Sequence, residues 1–199
     1  MHHPRISRVG SLGALTVLVL GFAFSMVAAA LPAEEELPLR FTAVAANMGA
    51  RGPRGQVRLD ITIDRWSSDE ERGALMVAMK ESTSRALADA LRQQDRVGRL
   101  REIQGLGHDL RYARVTPLEG GGRQIILATD RPIAFGEVAR STRSQDSNVT
   151  LIQMTLDAEG RGSGQLMLGA EFSWDEAKNQ LTIENLSSEP VRLNSIRPR

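Results

Sequence analysis

The chain of 199 residues contains no cysteine, and only 4% of its residues are aromatic. The lack of cysteine excludes a disulfide scaffold, a cysteine nucleophile, thiolate metal sites and a lipid-modified cysteine anchor. Histidine is scarce as well, because only His108 lies beyond the first three residues. The usual zinc motifs, which need several histidines or cysteines, are therefore excluded, and no metal or other cofactor is expected.

The N-terminal segment has the three parts of a secretory signal peptide. Residues 1–8 carry two arginines and no acidic residue, residues 12–27 are a nearly continuous apolar run, and alanines occupy positions 28–30. This order predicts a Sec-type signal peptide over residues 1–30. The mature protein is then expected in the periplasm or outside the cell.

Cleavage is predicted after Ala30, with Ala33 as the alternative. Residues 31–38 then form an acidic linker, and residues 39–199 form a single domain. A different interpretation retains residues 11–31 as an uncleaved anchor, since a spanning helix needs about 20 residues.

Charge is nearly balanced in the predicted mature chain. Without the two arginines of the first 33 residues, 23 Lys and Arg stand against 24 Asp and Glu. A neutral protein has no net field to attract nucleic acid or an anionic membrane. We therefore expect neither as a partner after cleavage.

Strand patterns dominate the mature chain. In residues 57–64, apolar and polar residues alternate strictly, which is typical of a strand with one buried face. Similar patterns separated by turn signals predict further strands. The predicted strands lie near residues 39–47, 57–63, 98–103, 108–116, 123–129, 149–156, 165–174, 180–185 and 191–196.

A helical hairpin is predicted between the second and third strands. Ser67 with Glu70 fits a capping box at its start, and Ser68 with Glu71 fits nearly as well. Met76 and Met79 lie on one apolar face of the first helix, and residues 81–84 break the helix before a second one. The methionine-rich face either packs on the sheet or accommodates a ligand.

These elements predict an α+β fold. Its main part is a mostly antiparallel sheet of about nine strands, forming a partial barrel or a sandwich, with the helical hairpin inserted after the second strand. Short connections favour antiparallel pairing because parallel strands need long crossovers.

The candidate ligand site combines polar and aromatic residues on two neighbouring predicted strands. In the strand near 108–116, His108, Leu110, Tyr112 and Arg114 are expected to share one face. Arginines beside an aromatic ring can bind a carboxylate or a sugar face. The alternative is structural: acidic residues in this region pair with arginines and tie the sheet together. The candidate ligand-binding residues are His108, Tyr112, Arg114, Asp130 and Arg131.

Catalytic motifs are absent, and no catalytic residue is predicted. A Ser-His-Asp triad would have to use His108, and no G-x-S-x-G elbow is present. Asp60 and Asp64 are about 13 Å apart on one strand face, too far for a glycosidase pair, and are interpreted as a solvated face. Residues 157–168 lack calcium ligands at two key positions, and the Gly105 turn lacks a dinucleotide fingerprint.

Three segments in this order resemble a family of exported bacterial proteins with no assigned activity: RWSSDEER at 65–72, LGHDLRYAR at 106–114 and ATDRPI at 128–133. The signal peptide and the strand TLIQM at 150–154 are similar too, so the resemblance covers essentially the whole mature chain. The family pattern often has an aromatic residue in place of His108. The resemblance implies no substrate, cofactor or functional residue.

The leading hypothesis is a secreted or periplasmic, non-enzymatic module that binds a small molecule or an envelope component. It predicts a sheet-lined pocket near Tyr112, Arg114 and Asp130. One alternative is an extracytoplasmic hydrolase that uses a carboxylate or His108. Another is a structural or protein-interaction module of the envelope, with an exposed sheet edge as its contact.

Overall fold

The computed structural model describes residues 36–46, 56–80, 84–103, 105, 107–131, 133, 149–168, 170–175, 180–185 and 191–199. The predicted signal peptide and most of the predicted linker lie outside the described residues. Among the described helices, none has the length and apolar character needed to cross a membrane.

The described residues include eleven strands and two α-helices. The helices are α1 (Asp69–Lys80) and α2 (Ser84–Gln93). The strands are β1 (Leu39–Ala46), β2 (Gln56–Ile63), β3 (Gly98–Glu102), β4 (Gly107–Leu110), β5 (Tyr112–Pro117), β6 (Arg123–Thr129), β7 (Thr150–Leu156), β8 (Gly162–Leu168), β9 (Ala170–Asp175), β10 (Gln180–Asn185) and β11 (Val191–Pro198).

Nine of these strands form one antiparallel sheet in the order β4-β3-β2-β1-β11-β8-β7-β6-β5. The sheet curls into a nearly closed barrel, and β9 pairs with β10 in a separate hairpin. The helical hairpin follows β2. The predicted fold class is therefore confirmed, with the barrel as the form that the sheet takes.

The prediction of a single strand near 108–116 is wrong, because the strand is interrupted at Arg111. The Leu110 carbonyl accepts a 2.8 Å hydrogen bond from the Val97 amide on the β3 side of the break. The Arg111 amide instead donates a 2.9 Å bond to the Ala128 carbonyl on β6. The two edge strands of the sheet, β4 and β5, are thus consecutive in the chain, and this segment brings the two edges together.

The break also changes which side chains share a face. Leu110 and Ala113 are both fully buried in the barrel interior, whereas Tyr112 packs on the outside. The expectation that Leu110 and Tyr112 share one face is therefore wrong, since alternation restarts after Arg111.

The predicted strand near 165–174 is also two strands. Its first part is β8, which completes the barrel between β7 and β11. Its second part is β9, which pairs with β10 in a separate hairpin and approaches both helices. A continuous apolar and polar pattern does not reveal where a chain leaves one sheet for another.

The described residues form two apolar cores, one on each side of the barrel wall. The interior core is filled by inward residues of the barrel strands, such as Leu59, Ile125 and Ile152. The second core lies between the helices and the outer face of β6 and β7. Its buried members are Leu75, Leu87, Ala88, Leu91, Ala128, Val149 and Leu151.

The start of α1 is fixed to the barrel by two adjacent serines. The Ser68 amide donates a 2.7 Å hydrogen bond to Glu71, and the Glu71 amide donates a 3.1 Å bond to the Ser68 hydroxyl. The capping box is thus the Ser68–Glu71 alternative, and the Ser67–Glu70 assignment is wrong. Ser67 pairs with β5 instead: its amide donates to the Ala113 carbonyl, and its hydroxyl accepts from the Ala113 amide.

Candidate functional site

A groove remains between the helical hairpin and the outer face of β5–β7. Its volume is about 180 Å³. Both helices and all three strands contribute to its walls. The lining residues are Arg72, Leu75, Met76, Met79, Leu87, Leu91, Tyr112, Ile126, Ala128 and Leu151.

The walls of the groove are almost wholly apolar. Met76 and Met79 are half-buried, whereas Leu75 and Leu91 are buried against the sheet. Methionine has three rotatable bonds and a polarisable sulfur, so it adapts to occupants of different shape. The methionine-rich face of α1 packs towards the sheet, as one of the two interpretations predicts, and it also lines the groove.

The polar edge of the groove consists of Tyr112 and the charged residues around it. Arg72 of α1 and Tyr112 of β5 both line the groove, and the positive charge of Arg72 lies near the Tyr112 phenol. Burial raises the pKa of Tyr112, and the nearby Arg114 and Arg72 oppose that shift. The phenol is therefore protonated at neutral pH and can donate a hydrogen bond.

Arg114 follows Tyr112 on the same face of β5 and pairs with Asp69 of α1. Arg114 Nη1 lies 2.9 Å from Asp69 Oδ1. Hydrogen bonding to Arg114 lowers the pKa of Asp69. Arg72 and Arg114 together with Asp69 leave one net positive charge at this edge. An anionic group is therefore favoured over a cation there.

Local sequence explains why these residues meet. The Ser67–Ala113 pairing holds the first turn of α1 beside β5. Asp69 and Arg72 on that turn then lie next to Arg114 and Tyr112. Of the five predicted site residues, the structure brings together Tyr112 and Arg114.

Asp130 belongs to a different contact, at the end of β6. Its side chain is 9% exposed and lies 3.6 Å from Arg92 of α2 and 3.9 Å from Arg111. Arg111 also donates a 3.0 Å hydrogen bond to the Gln94 carbonyl, just after α2. These contacts join the end of α2 to the junction of β4 and β5. Asp130 therefore fits the alternative interpretation, in which acidic residues pair with arginines and hold elements of the fold together.

The other two predicted residues lie apart from the groove lining. His108 is half-buried on β4, where it stands opposite Leu100 of β3. Arg131 is exposed, and its backbone carbonyl accepts a 3.1 Å hydrogen bond from the Thr150 hydroxyl. Neither residue lines the groove.

The predicted solvated carboxylates on β2 and just after it have arginine partners. Asp64 is 43% exposed and lies 3.9 Å from Arg96. Asp60 is only 16% exposed and contacts two arginines. Asp60 lies on the outer face, as predicted, but the side chains of Arg101 and Arg199 partly cover it.

Sequence reasoning missed Arg72 and the apolar residues supplied by the sheet. Arg72 stands three, four and seven residues before Leu75, Met76 and Met79, so it extends their helical stripe by one turn. That spacing was a usable signal. The contribution of Ile126 could not be predicted in this way, because β6 is apolar on both faces.

Within the part of the chain that the structure describes, no three histidine or acidic side chains form a group that could hold a metal ion. Comparison with protein-family models, curated proteins and solved structures gave no match. The resemblance to a family of exported proteins therefore stays a prediction.

Proposed function

We propose that the protein is a non-enzymatic binding module whose helix–sheet groove takes a small molecule with an apolar body and a carboxylate. The observation that carries this proposal is the groove itself: apolar walls that end at the Tyr112 hydroxyl and the Arg72 guanidinium. The predicted export would make the ligand an extracytoplasmic compound or a component of the envelope.

The groove volume sets the size of the apolar body. A dry apolar cavity of about 150 Å³ accommodates a molecule as large as benzene. The groove, at about 180 Å³, therefore matches an apolar group of about six to eight carbon atoms. The two methionines can adjust to the remaining difference in shape.

The polar edge sets the head group. A guanidinium and a phenol both donate hydrogen bonds, and a carboxylate accepts from both. Among the described lining residues there is no histidine, carboxylate, serine or threonine. The groove therefore offers recognition, since its described lining lacks the histidine, carboxylate and serine side chains that most hydrolases use.

The test is a calorimetric titration of the full chain with octanoate, with octanol and octylammonium as comparison ligands. Octanoate is expected to bind most tightly, because only octanoate has both the chain and the anionic head. Equal binding of octylammonium would contradict the proposed polar edge. Absence of octanoate binding would contradict the proposed function.

Two variants on one helix make the test specific. Met79→Trp fills the groove and is expected to abolish octanoate binding. Val77→Trp adds the same ring at an exposed position on α1 and is expected to leave binding unchanged, since Val77 is 63% exposed. If both variants bind octanoate like the parent chain, the ligand lies elsewhere.

The head group is tested separately. Arg72→Gln is expected to weaken octanoate binding about tenfold while leaving octanol binding nearly unchanged. Arg85→Gln removes the same charge from an exposed position on α2 and serves as the control. Equal losses in both variants would indicate a general effect of charge and contradict the assigned role of Arg72.

A further inference from the structure

A second cavity lies on the outer face of β1–β3, which no helix covers in the described structure. Its volume is about 390 Å³. Unlike the groove, it is lined almost entirely by charged side chains. We call this cavity the arginine cleft. Its lining residues are Arg40, Asp60, Thr62, Arg99, Arg101 and Arg199.

Strand register produces this cluster. Arg40 of β1 stands opposite Thr62 of β2, which stands opposite Arg99 of β3. In the neighbouring row, Asp60 stands opposite Arg101. Side chains of directly opposed residues lie about 5 Å apart on one face of a sheet, so these rows concentrate the guanidinium groups.

The chain end contributes the fourth arginine. The Arg199 amide donates a 3.0 Å hydrogen bond to the Arg40 carbonyl, which extends the pairing of β1 and β11. Its side chain then reaches across to Asp60, with Nη1 3.1 Å from Oδ2. Residues distant in sequence thus form one wall.

The positive charge of the cleft is only partly neutralised. Among the described lining residues, only Asp60 has a carboxylate side chain, and it bonds Arg101 at 3.3 Å as well as Arg199. Arg99 has a distant partner outside the cleft, Asp109, at 3.9 Å. For Arg40, the described part of the chain shows no carboxylate within ion-pair distance. The described lining therefore holds four guanidinium groups and one side-chain carboxylate.

This excess is local, because the whole chain carries a formal net charge of only +1. Like charges that face one another across a sheet repel, and a bound anion removes that repulsion. A cleft also focuses the field of its walls and raises the local concentration of anions.

From this geometry we propose that the arginine cleft is a binding site for a phosphate-bearing ligand with at least two negative charges. Arg40 and Arg99 contact the phosphate oxygens, and the Thr62 hydroxyl between them donates a hydrogen bond. The planar guanidinium presents paired donors that match two phosphate oxygens. Asp60 holds Arg101 and Arg199 in place and is a positioning residue.

The proposal does not depend on the helix–sheet groove. The cleft uses β1–β3 and the chain end, whereas the groove uses the helices and β5–β7. A failure to bind octanoate leaves this proposal untouched, and a failure to bind phosphate leaves the groove untouched.

The test is calorimetric titration of the full chain with inorganic pyrophosphate, with citrate as a comparison anion. Arg40→Gln and Arg99→Gln are each expected to weaken pyrophosphate binding about tenfold or more. Arg58→Gln is the matched control, since Arg58 is exposed on β2 outside the cleft lining and is expected to change binding less than twofold.

A second arm separates a free phosphate compound from a lipid headgroup. The same variants are tested by co-sedimentation with phosphatidylcholine vesicles, with and without phosphatidic acid. Binding to either phosphate source that is lost in Arg40→Gln and Arg99→Gln, but kept in Arg58→Gln, supports the site and identifies its source. Binding to neither source, equal losses in all three variants, or tighter binding of citrate than of pyrophosphate would overturn the proposal. Unchanged circular dichroism of the variants shows that the fold is retained.

Discussion

The outward residues of β5–β7 differ sharply from those of β1–β3, although all six strands belong to one continuous sheet. On β5–β7 these positions include Ile126, Ala128 and Leu151, and helices cover them. On β1–β3 they include Arg40 and Arg99, which line an open cleft. The inward residues of both groups of strands are mostly apolar, so the difference lies on the outer face.

The comparison shows that strands with the same alternation of inward and outward residues can have two different kinds of outer surface. Inward residues determine that a barrel forms, because they bury the interior core. Outward residues determine whether a stretch of the wall is covered by helices or stays open. The following experiments break or sharpen that distinction.

The largest expected effect comes from exchanging the chemistry of the two surfaces. Ala128→Asp places an unpaired carboxylate under the helices, where Ala128 is 4% exposed, and should cost about 4 kcal/mol of unfolding free energy or prevent folding. Thr62→Asp introduces a carboxylate between Arg40 and Arg99 and should change stability by less than about 1 kcal/mol.

Chemical denaturation of both variants provides the measurement. Similar losses in the two variants would contradict the comparison between a covered and an open outer face. If Thr62→Asp is expressed in soluble form and Ala128→Asp does not fold, that result also supports the comparison.

A smaller loss is expected from weakening the contact between helix and sheet. Leu91 is 1% exposed in the second core, and Leu91→Ala should cost about 3 kcal/mol. Val77→Ala on the exposed side of α1 should cost less than about 0.5 kcal/mol. Thermal unfolding distinguishes them, and a loss below 1 kcal/mol for Leu91→Ala would show that the hairpin contributes little to the fold.

The capping pair at α1 predicts a pH dependence. Hydrogen bonding from Arg65, reinforced by Ser68, lowers the pKa of Glu71 from its ordinary value of 4.5. Its stabilisation is therefore fully present above pH 4.5 and is lost as pH falls through the lower folded pKa. Glu71→Gln should cost about 1 kcal/mol at neutral pH and progressively less in acid.

Unfolding curves of the parent chain and of Glu71→Gln, measured from neutral pH to below pH 4.5, test whether their difference in stability falls in acid. Glu70→Gln, which removes the neighbouring exposed carboxylate, is the control. A difference between the parent chain and Glu71→Gln that grows in acid would contradict the assigned cause.

The smallest effect is expected at the polar edge of the groove. Asp69 is 88% exposed, and an exposed ion pair adds little to stability. Asp69→Asn should leave the melting temperature unchanged within error. The same variant should bind octanoate more tightly, because one negative charge is removed beside Arg114 and Arg72. A large loss of stability would show that the Asp69–Arg114 pair supports the fold.

Much of the fold could be predicted from the sequence because alternation and helical stripes are local signals. The strands β1, β2 and β6 and the helical hairpin follow directly from them. The break at Arg111 could not, since nothing in residues 108–116 interrupts the pattern. Closure of the barrel, a long-range requirement, decides where that segment changes partner.

The candidate site was predictable only in part. Tyr112 and Arg114 stood out as an aromatic residue beside an arginine in one strand. Asp130 looked equally suitable but pairs with Arg92 and Arg111, because α2 ends above it. A strand sequence shows which residues alternate, but not which element covers them.

The most direct measurement of the proposed groove is a methyl NMR titration of the methionine-labelled chain with octanoate. Met76 and Met79 line the groove, whereas Met154 is fully buried in the barrel interior. The proposed function predicts that the methyl signals of Met76 and Met79 shift with a common saturation curve while that of Met154 stays fixed. Unmoved signals from both groove methionines at saturating octanoate would contradict it.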